Sequence, residues 1–420
     1  MRFDWLLGRD EAVAVSRREP APGRVAPWPA WLSEESVARI ERSGVEAPWR
    51  HQVEFAQALF DGRHSIVCTP TGSGKTLGYL MPIIAATAEG RVGVAVDSTR
   101  ARLTGPRHTA VYLAPTKALA HDQARAAAAL GPKGWRISAL DGDSDETERR
   151  FAREHADLVL TNPDMIHFSV LPGHQRWASF LGSLRYIVVD EAHRYQGVFG
   201  AHVAQVIRRL RRVAAQYGAD PVVALSSATA PNAGEFAGAL IGAERVEVFG
   251  TDSSPSGRRT AVLWRPASSL RADTAELLAR LTDQDAQTIA FVASRQGAEL
   301  VSLAAQELSA RPSRIASYRG GYLAVDRRTL EAGLHSGELR GLASTNALEL
   351  GVDVAGMDAV LVSGYPGRLS SFWQQAGRAG RRGQDALVVL LAREDPLDAY
   401  LLEHPELVFD APRKVVALTF

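Results

Sequence analysis

Cysteine and long apolar runs are scarce in this sequence of 420 residues. Cys68 is the only cysteine, which excludes a disulfide framework or a cysteine metal cluster and fits a reducing compartment. No stretch approaches the roughly 18 consecutive apolar residues of a membrane span, and no signal-peptide core follows Met1. The sequence therefore predicts a cytoplasmic protein with no membrane partner.

An excess of charge of one sign is also missing. The 48 basic residues are balanced by 47 acidic ones, so no global basic field indicates nucleic acid, and any such site must be local. Lysine is rare among the basic residues, yet two lysines, Lys75 and Lys117, fall inside the motifs described below.

Apolar strand-like runs alternate with longer stretches of helical periodicity. The runs lie at 65–68, 110–114, 157–160, 186–189, 222–225, 245–249, 288–292, 341–343, 359–363 and 386–391. Such alternation predicts an α/β fold in which parallel sheets are covered by helices on both faces.

Two domains fit this length and pattern. The polar stretch 251–259 is typical of a linker, which predicts domains at 46–254 and 260–420. Residues 1–45 are predicted to form an arm with one short helix, whose Trp28 and Trp31 either stack bases or dock on their own domain. Residues 89–109 lack periodicity and are predicted to form a long loop. An arginine-rich helix around 206–212 is either a nucleic-acid patch or an ordinary amphipathic surface helix.

The stretch Thr69 to Thr76 reads Thr-Pro-Thr-Gly-Ser-Gly-Lys-Thr between a strand-like run and a predicted helix. In that context backbone N–H groups surround phosphate oxygens, Lys75 neutralises the β- and γ-phosphates and the Thr76 hydroxyl binds Mg²⁺. Thr69 replaces the usual first glycine, and a chance glycine-rich turn is the alternative. The motif predicts binding of a nucleoside triphosphate, ATP, with Mg²⁺. The phosphate-site residues are Thr71, Gly72, Ser73, Gly74, Lys75 and Thr76.

Asp190-Glu191-Ala192-His193 follows the apolar run at 186–189. Carboxylates at the end of such a strand face the ligand crevice of an open α/β sheet. Asp190 is predicted to hold Mg²⁺ and Glu191 to act as the general base that orients the attacking water. Alone, two acids after a strand are more often a solvated turn. The phosphate loop in the same predicted sheet favours the catalytic interpretation.

A third motif, Gln374 to Arg381, lies in the second predicted domain. Arg378 and Arg381 are three residues apart, so on a helix they share one face and could reach a γ-phosphate as arginine fingers. The alternative is a solvent-facing basic helix, which leaves its two glycines unexplained.

These three motifs, in this order, closely resemble those of superfamily 2 DEAD/DEAH-box helicases, which have two tandem RecA-like domains. The resemblance covers residues 48 to 383 and implies that Gln52 reads adenine and that Ser227-Ala228-Thr229 couples hydrolysis to domain movement. It also implies that Gln374 belongs to the catalytic set and Asp353 to the nucleotide site. The implied nucleic-acid contacts are Pro115, Thr116, Lys117, Thr161, Asn162, Arg295 and Thr345.

Finer features resemble the MrfA-type branch of RecQ-like DNA repair helicases. They are the segment from Tyr195 to Gly200 after the acidic motif, and Gly364-Tyr365-Pro366-Gly367 in the second domain. Tyr195 and Phe199 are predicted to stack unpaired bases, the alternative being packing under their loop. Those relatives carry a further C-terminal region with a four-cysteine metal site, which we expect to be absent here, since the sequence ends at Phe420 with one cysteine.

The predicted function is an ATP-dependent DNA helicase or translocase that moves 3′ to 5′ on single-stranded or tailed DNA and acts in DNA repair. The predicted partners are DNA and other repair proteins, and the predicted state is a monomer. A nucleotide-switched clamp without processive unwinding and an RNA helicase stay open as alternatives, because no residue visibly reads or excludes a 2′-hydroxyl.

Overall fold

Strands and helices alternate along the chain as the sequence predicts. A computed structural model describes residues 3–70, 72–89, 92–97, 100–104, 107–227, 232–348, 356–380 and 383–409. The strands are β1 (Ala12–Arg18), β2 (Ser65–Cys68), β3 (Val92–Asp97), β4 (Arg100–Thr104), β5 (Thr109–Leu113), β6 (Ile137–Ala139), β7 (Leu158–Thr161), β8 (Leu184–Val189), β9 (Val222–Ser227), β10 (Glu247–Phe249), β11 (Arg259–Trp264), β12 (Thr288–Phe291), β13 (Ile315–Tyr318), β14 (Gly341–Ser344), β15 (Ala359–Ser363) and β16 (Ala386–Leu391).

The helices are α1 (Asp4–Leu7), α2 (Glu34–Arg42), α3 (Arg50–Phe60), α4 (Lys75–Ile84), α5 (Lys117–Leu130), α6 (Glu146–Glu154), α7 (Pro163–Met165), α8 (Ala178–Gly182), α9 (Gly197–Gln216), α10 (Ala233–Ile241), α11 (Leu270–Asp283), α12 (Arg295–Leu308), α13 (Ala324–Ser336), α14 (Leu369–Ala376), α15 (Pro396–Glu403) and α16 (Glu406–Phe409). Short 3₁₀ or π turns lie at Ala85–Glu89, Ile166–Val170, His174–Trp177, Ala192–Arg194, Pro312–Arg314 and Asn346–Leu348. No helix in the described ranges is both long enough and apolar enough to cross a membrane.

The chain divides into two units. Among the described residues, the first unit runs from Arg24 to Ser254, and the second combines Phe3–Gly23 with Pro255–Phe409. The residues predicted as one arm, 1–45, therefore belong partly to each unit. In the first unit Trp31 stacks on Phe60 with ring centroids 4.5 Å apart, so this tryptophan docks on its own unit, one of the two alternatives above.

Seven parallel strands form the sheet of the first unit, in the order β10-β2-β9-β8-β5-β7-β6. Every residue of β5 and β9 is buried, as expected of strands covered on both faces. Side chains of α3, α4 and α5 form one core layer, and those of α8, α9 and α10 form the other. The carboxyl ends of β2, β5, β8 and β9 consequently lie along one edge, where ligands bind in such sheets.

The sheet of the second unit also has seven strands, in the order β1-β11-β16-β15-β12-β14-β13. All neighbours are parallel except β1, which pairs antiparallel with β11 at the edge. Helix α11 covers one face, and α14 and α15 cover the other. The predicted α/β class with mostly parallel sheets is thereby confirmed for both units.

The prediction of a long loop at 89–109 is wrong in part. β3 and β4 pair antiparallel as a separate two-stranded sheet. Valines at every second position, Val92, Val94 and Val96, are a strand signal that the search for helical periodicity overlooked. The arginine-rich helix is α9, and its Arg208 and Arg211 donate to main-chain oxygens of Ala239 and Ile241 at α10. These two arginines therefore hold α10, as expected of an amphipathic structural helix.

Candidate nucleotide and nucleic-acid sites

The predicted phosphate loop joins β2 to α4, as the motif requires. Gly72 and Gly74 both have positive φ, +87° and +80°. This position favours glycine for its conformation, and a Cβ on Gly74 would lie 2.5 Å from Nε2 of Gln52, so that side chain would have to move. Lys75 is the first residue of α4, and its Nζ donates to the main-chain oxygens of Thr69 (2.8 Å) and Pro70 (3.1 Å). Thr71 lies outside the described residues.

The structure shows why a threonine, Thr69, can stand where the motif usually has glycine. Its side chain is fully buried, and its hydroxyl lies 2.6 Å from the hydroxyl of Ser73 within the loop. A threonine here therefore braces the loop from inside, since a buried hydroxyl needs a partner. The departure from the motif leaves the two glycines and Lys75 in their expected places.

Gln52 lies on α3 and reaches the same loop. Its Oε1 accepts from the backbone N–H of Trp49 (2.7 Å), and its Nε2 donates to the carbonyl of Gly74 (2.8 Å). The glutamine is thus positioned by its own helix N-terminus and binds the residue that precedes Lys75. Its role in reading adenine stays a prediction.

Asp190 lies at the end of β8, where three strands converge. Tyr112 at the end of β5 and Ser226 on β9 donate their hydroxyls to the two oxygens of this carboxylate, and the Glu191 N–H donates to Oδ1 at 2.9 Å. Burial raises the pKa of Asp190 and the charge of Glu191 raises it further, while these hydrogen bonds oppose the rise. A carboxylate held this way has its oxygens fixed in direction before any cation arrives.

Glu191 has left-handed backbone torsion angles, φ 48° and ψ 43°. This conformation is costly for a residue with a side chain and is characteristic of functional sites. His193, buried in the 3₁₀ turn that follows, places Nδ1 3.3 Å from Oε2 of Glu191. The acidic motif is therefore a strained turn with fixed side chains, and the solvated-turn alternative is wrong.

A chain of side chains connects the phosphate loop with Asp190. The Tyr79 hydroxyl donates to Oγ1 of Thr76 and to Oε1 of Gln123, both at 3.3 Å. The rings of Tyr79 and Tyr112 have centroids 5.9 Å apart, and Tyr112 in turn binds Asp190. Burial raises the pKa of both tyrosines well above the usual value, and the charge of Asp190 adds to the rise, so both stay protonated donors.

The residues fit ATP with Mg²⁺. A hydroxyl and a carboxylate are hard oxygen ligands, and Mg²⁺ is typically bound by one or two protein oxygens together with water and phosphate. No group of three or more His, Cys, Asp or Glu side chains in the described ranges forms a separate metal site. Thr76 and Asp190 would hold the cation, and Lys75 with the backbone of Gly72, Ser73 and Gly74 would hold the phosphates.

The predicted arginine motif differs in geometry from the prediction. α14 ends at Ala376, so Arg378 lies after the helix and not on it. The chain turns because Gly380 has φ +79°, and a Cβ there would lie 2.7 Å from Cβ of Ala386. Gln374 and Arg378 are both buried, which also excludes the solvent-facing helix. Arg381 and Asp353 lie outside the described residues, as do Ala228 and Thr229.

Comparison with known proteins identifies the family. Residues 49–236 match the DEAD/DEAH box helicase model, and residues 272–383 match the helicase conserved C-terminal domain. This chain belongs to the superfamily 2 DEAD/DEAH-box helicases. The uncharacterized ATP-dependent helicase YprA of Bacillus subtilis is 38% identical over 96% of this chain and 54% of its own length. The ATP-dependent helicase hrq1 of Schizosaccharomyces pombe is 34% identical over 92% of this chain and 37% of its own length.

A solved structure supports the same branch of helicases. The crystal structure of the DUF1998 helicase MrfA bound to DNA matches with a TM-score of 0.91 at 36% identity, covering 100% of this chain and 56% of that chain. The predicted resemblance to MrfA-type helicases and the RecA-like fold are thereby confirmed. This chain spans about half the length of YprA and of the MrfA chain, and 37% of the length of hrq1.

The predicted nucleic-acid contacts of the first helicase unit fall into two groups. Thr116 and Asn162 cap α5 and α7, accepting from the backbone of Leu119 (3.3 Å) and Met165 (2.9 Å). Thr161 is buried, and its hydroxyl donates to the Leu140 carbonyl at 2.7 Å. Two more predicted contacts differ in exposure: Pro115 is half-buried, and Lys117 is exposed and pairs with Asp143 at 2.9 Å.

Tyr195 and Phe199 differ in their exposure to solvent. Tyr195 is fully buried, so the prediction that it stacks on bases is wrong: its ring packs under the loop. Phe199 is 53% exposed at the start of α9, with its ring centroid 6.0 Å from that of Tyr195. The sequence could not distinguish the two, because both aromatics follow the same acidic motif and only the packing of α9 buries one of them.

The second helicase unit has a basic loop that the sequence analysis missed. Arg319 and Gly321, with φ +103°, follow β13, and Glu299 on α12 accepts from Arg319 Nε (2.8 Å) and the Tyr322 hydroxyl (2.7 Å). The exposed side chain of Arg295 lies beside this loop, 3.8 Å from where a Cβ on Gly321 would be. Thr345 follows β14 and is buried. An arginine and two glycines directly after a strand are the signal that could have found the loop.

Proposed function

We propose that this chain is an ATP-dependent motor that moves along single-stranded DNA. The observation that carries the proposal is the side-chain connection from Thr76 through Tyr79 and Tyr112 to Asp190, which unites the phosphate loop and the acidic motif in one site. Lys75 neutralises phosphate charge, Thr76 and Asp190 hold Mg²⁺, and Glu191 orients the attacking water as general base. Gln374, Arg378 and Arg381 complete the hydrolytic set, and Asp353 contributes to the nucleotide site.

The DNA substrate is inferred from the relatives and from local surface chemistry. MrfA, the relative with a TM-score of 0.91, was solved bound to DNA, and a second structure holds DNA and AMPPNP. In this chain, exposed Lys117 and Arg295 and part-exposed Arg319 supply cations for phosphates, and exposed Phe199 supplies a stacking surface. The loops that present these basic and aromatic side chains are shaped by Pro115, Thr116, Thr161, Asn162 and Thr345. Movement from 3′ to 5′ and a role in DNA repair complete the proposal.

A direct test compares ATP turnover without nucleic acid and with single-stranded DNA, duplex DNA or RNA of equal length. We expect strong stimulation by single-stranded DNA and weak stimulation by RNA. Strand displacement on duplexes with a 3′ or a 5′ tail then reports direction, and displacement should require the 3′ tail. Stimulated hydrolysis without displacement on either substrate would favour the nucleotide-switched clamp, and stronger stimulation by RNA would favour the RNA helicase.

Phe199 provides a residue-level test. Replacing Phe199 by Ala removes a base-stacking surface of about 1–3 kcal/mol. Stimulation by single-stranded DNA should then fall at least fivefold, while turnover without DNA persists. Phe151→Ala, which removes an exposed phenylalanine from α6, is the matched control and should behave like the unmodified chain. Unchanged stimulation in folded Phe199→Ala would assign Phe199 to packing.

A further inference from the structure

The chain passes between its two units at two neighbouring places. One passage lies at Gly23–Arg24 and the other at Ser254–Pro255. Residues 21–24 run antiparallel to residues 253–256: Ala21 and Ser256 exchange both main-chain hydrogen bonds (2.9 and 3.0 Å), and the Arg24 N–H donates to the Ser253 carbonyl (2.8 Å). We call these two paired segments the double crossing. The two linker segments are therefore hydrogen-bonded to each other.

The N-terminus of α3 holds the double crossing on both of its segments. The Arg50 N–H donates to the Arg24 carbonyl (2.8 Å), and the His51 N–H donates to the Ser253 hydroxyl (2.9 Å). His51 Nδ1 accepts from the Ser253 N–H (3.2 Å) and lies 2.7 Å from Ser253 Oγ. Both side chains are buried, so these hydrogen bonds are protected from water.

The ring of His51 is buried beside Ser253. Because a backbone N–H donates to Nδ1, the proton of the neutral ring lies on Nε2. Burial lowers the pKa of His51, Asp252 opposes this, and the charge of Lys75 lowers the pKa further. The backbone of Ser73 raises the pKa of His51. His51 thus contacts the linker serine directly, and its charge state responds to the charge of Lys75 in the phosphate loop.

The next residue on α3 binds the opposite partner. Gln52 donates to the Gly74 carbonyl at 2.8 Å, and a Cβ on Gly74 would lie 2.5 Å from the same Nε2. Two consecutive side chains of one helix therefore contact the phosphate loop and the double crossing. The Gln52 hydrogen bond thus gives a displacement of Gly74 a direct path to α3.

We propose that His51 is a positioning residue which, with Ser253, couples the nucleotide state of the phosphate loop to the double crossing. The proposal rests on the proposed ATPase function and extends it. His51 touches no reacting atom: its effect passes through α3 and Ser253. A purely structural role would instead lower stability and every activity together.

The test uses Ser253→Ala, which removes only the hydroxyl that joins the linker to His51. Ser254→Ala is the matched control, since Ser254 donates to Asp252 within the same linker (2.7 Å). We expect Ser253→Ala to keep turnover without DNA within twofold and the KM for ATP within twofold. Stimulation by single-stranded DNA should fall at least fivefold. Ser254→Ala should match the unmodified chain. His51→Ala should lose stimulation likewise, and His51→Asn should restore part of it, because an amide oxygen replaces Nδ1 as acceptor.

Hydrogen exchange gives a readout that does not depend on DNA. Binding of AMP-PNP should change the exchange of amides at 251–256 in the unmodified chain, and Ser253→Ala should lose that change while keeping the change at the phosphate loop. If the unmodified chain is not stimulated by DNA, the proposed function fails and the exchange measurement still tests the coupling. Full stimulation and a full exchange response in Ser253→Ala, or equal loss of basal turnover and stimulation, would overturn the inference.

Discussion

The two units each have a seven-stranded sheet, but the pKa of an acidic residue is raised in one unit and lowered in the other. In the first unit, burial raises the pKa of Asp190, which is tied to two neighbouring strands through Tyr112 and Ser226. In the second unit, Glu299 is part-exposed, and hydrogen bonds from Tyr322 and Arg319 lower its pKa. The first unit fixes a buried acid between two strands, and the second pairs a part-exposed acid with an arginine side chain. The fold is shared, so the difference in function lies in the few side chains at the strand ends.

The largest effect should come from Glu191→Gln. The substitution keeps the size of the side chain but removes the base, so turnover should fall by about 10²–10⁴, while a fluorescent ATP analogue still binds. Glu331→Gln, in the second unit, removes the charge of the group that accepts from the Tyr318 hydroxyl and should leave turnover within twofold. Turnover near normal in Glu191→Gln would contradict the role assigned to the acidic motif and, with it, the comparison.

A smaller effect should follow from Tyr112→Phe. The hydroxyl that binds Asp190 is lost, and a hydrogen bond to a charged group is worth about 1.5–3 kcal/mol, so ATP turnover should fall about tenfold or more. Tyr318→Phe is the control: Tyr318 is equally buried in the sheet of the second unit, and its hydroxyl donates to Glu331 at 2.9 Å. We expect it to affect stability but not turnover. Equal losses of turnover in both variants would show that the hydrogen bond from Tyr112 to Asp190 has no specific role in ATP turnover.

The smallest effect should come from Arg319→Ala. Loss of one phosphate contact should weaken binding of single-stranded DNA a few-fold and reduce the slope of log K against log salt by about 0.7. Arg311→Ala removes an exposed arginine from the same unit, 4.0 Å from Asp285, and serves as the control. Affinity titrations at three salt concentrations measure both quantities. An unchanged slope in Arg319→Ala would remove the basic loop from the proposed DNA surface.

Local motifs could be predicted from the sequence, and contacts between distant residues could not. The phosphate loop and the acidic motif were found because each lies within a few residues and has a fixed spacing. The hydrogen bonds of Tyr112 and Ser226 to Asp190 depend on strand order, which brings together residues 78 and 36 positions away from it. Likewise, α14 was predicted to continue through Arg381, because the left-handed conformation of Gly380 depends on the nearby Ala386.

The pairing of β1 with β11 has a consequence for the order in which the protein is made. Arg18 pairs with Arg259, 241 positions further along the chain (259 minus 18). At synthesis rates of about 5–20 residues per second, β1 leaves the ribosome roughly 12–50 s before its partner exists. The whole sheet of the first unit, from β2 to β10, can form during that interval. Val13 and Val15 of β1 meanwhile lie on a strand without its partner, so β1 can pair with other strand edges until β11 is synthesised.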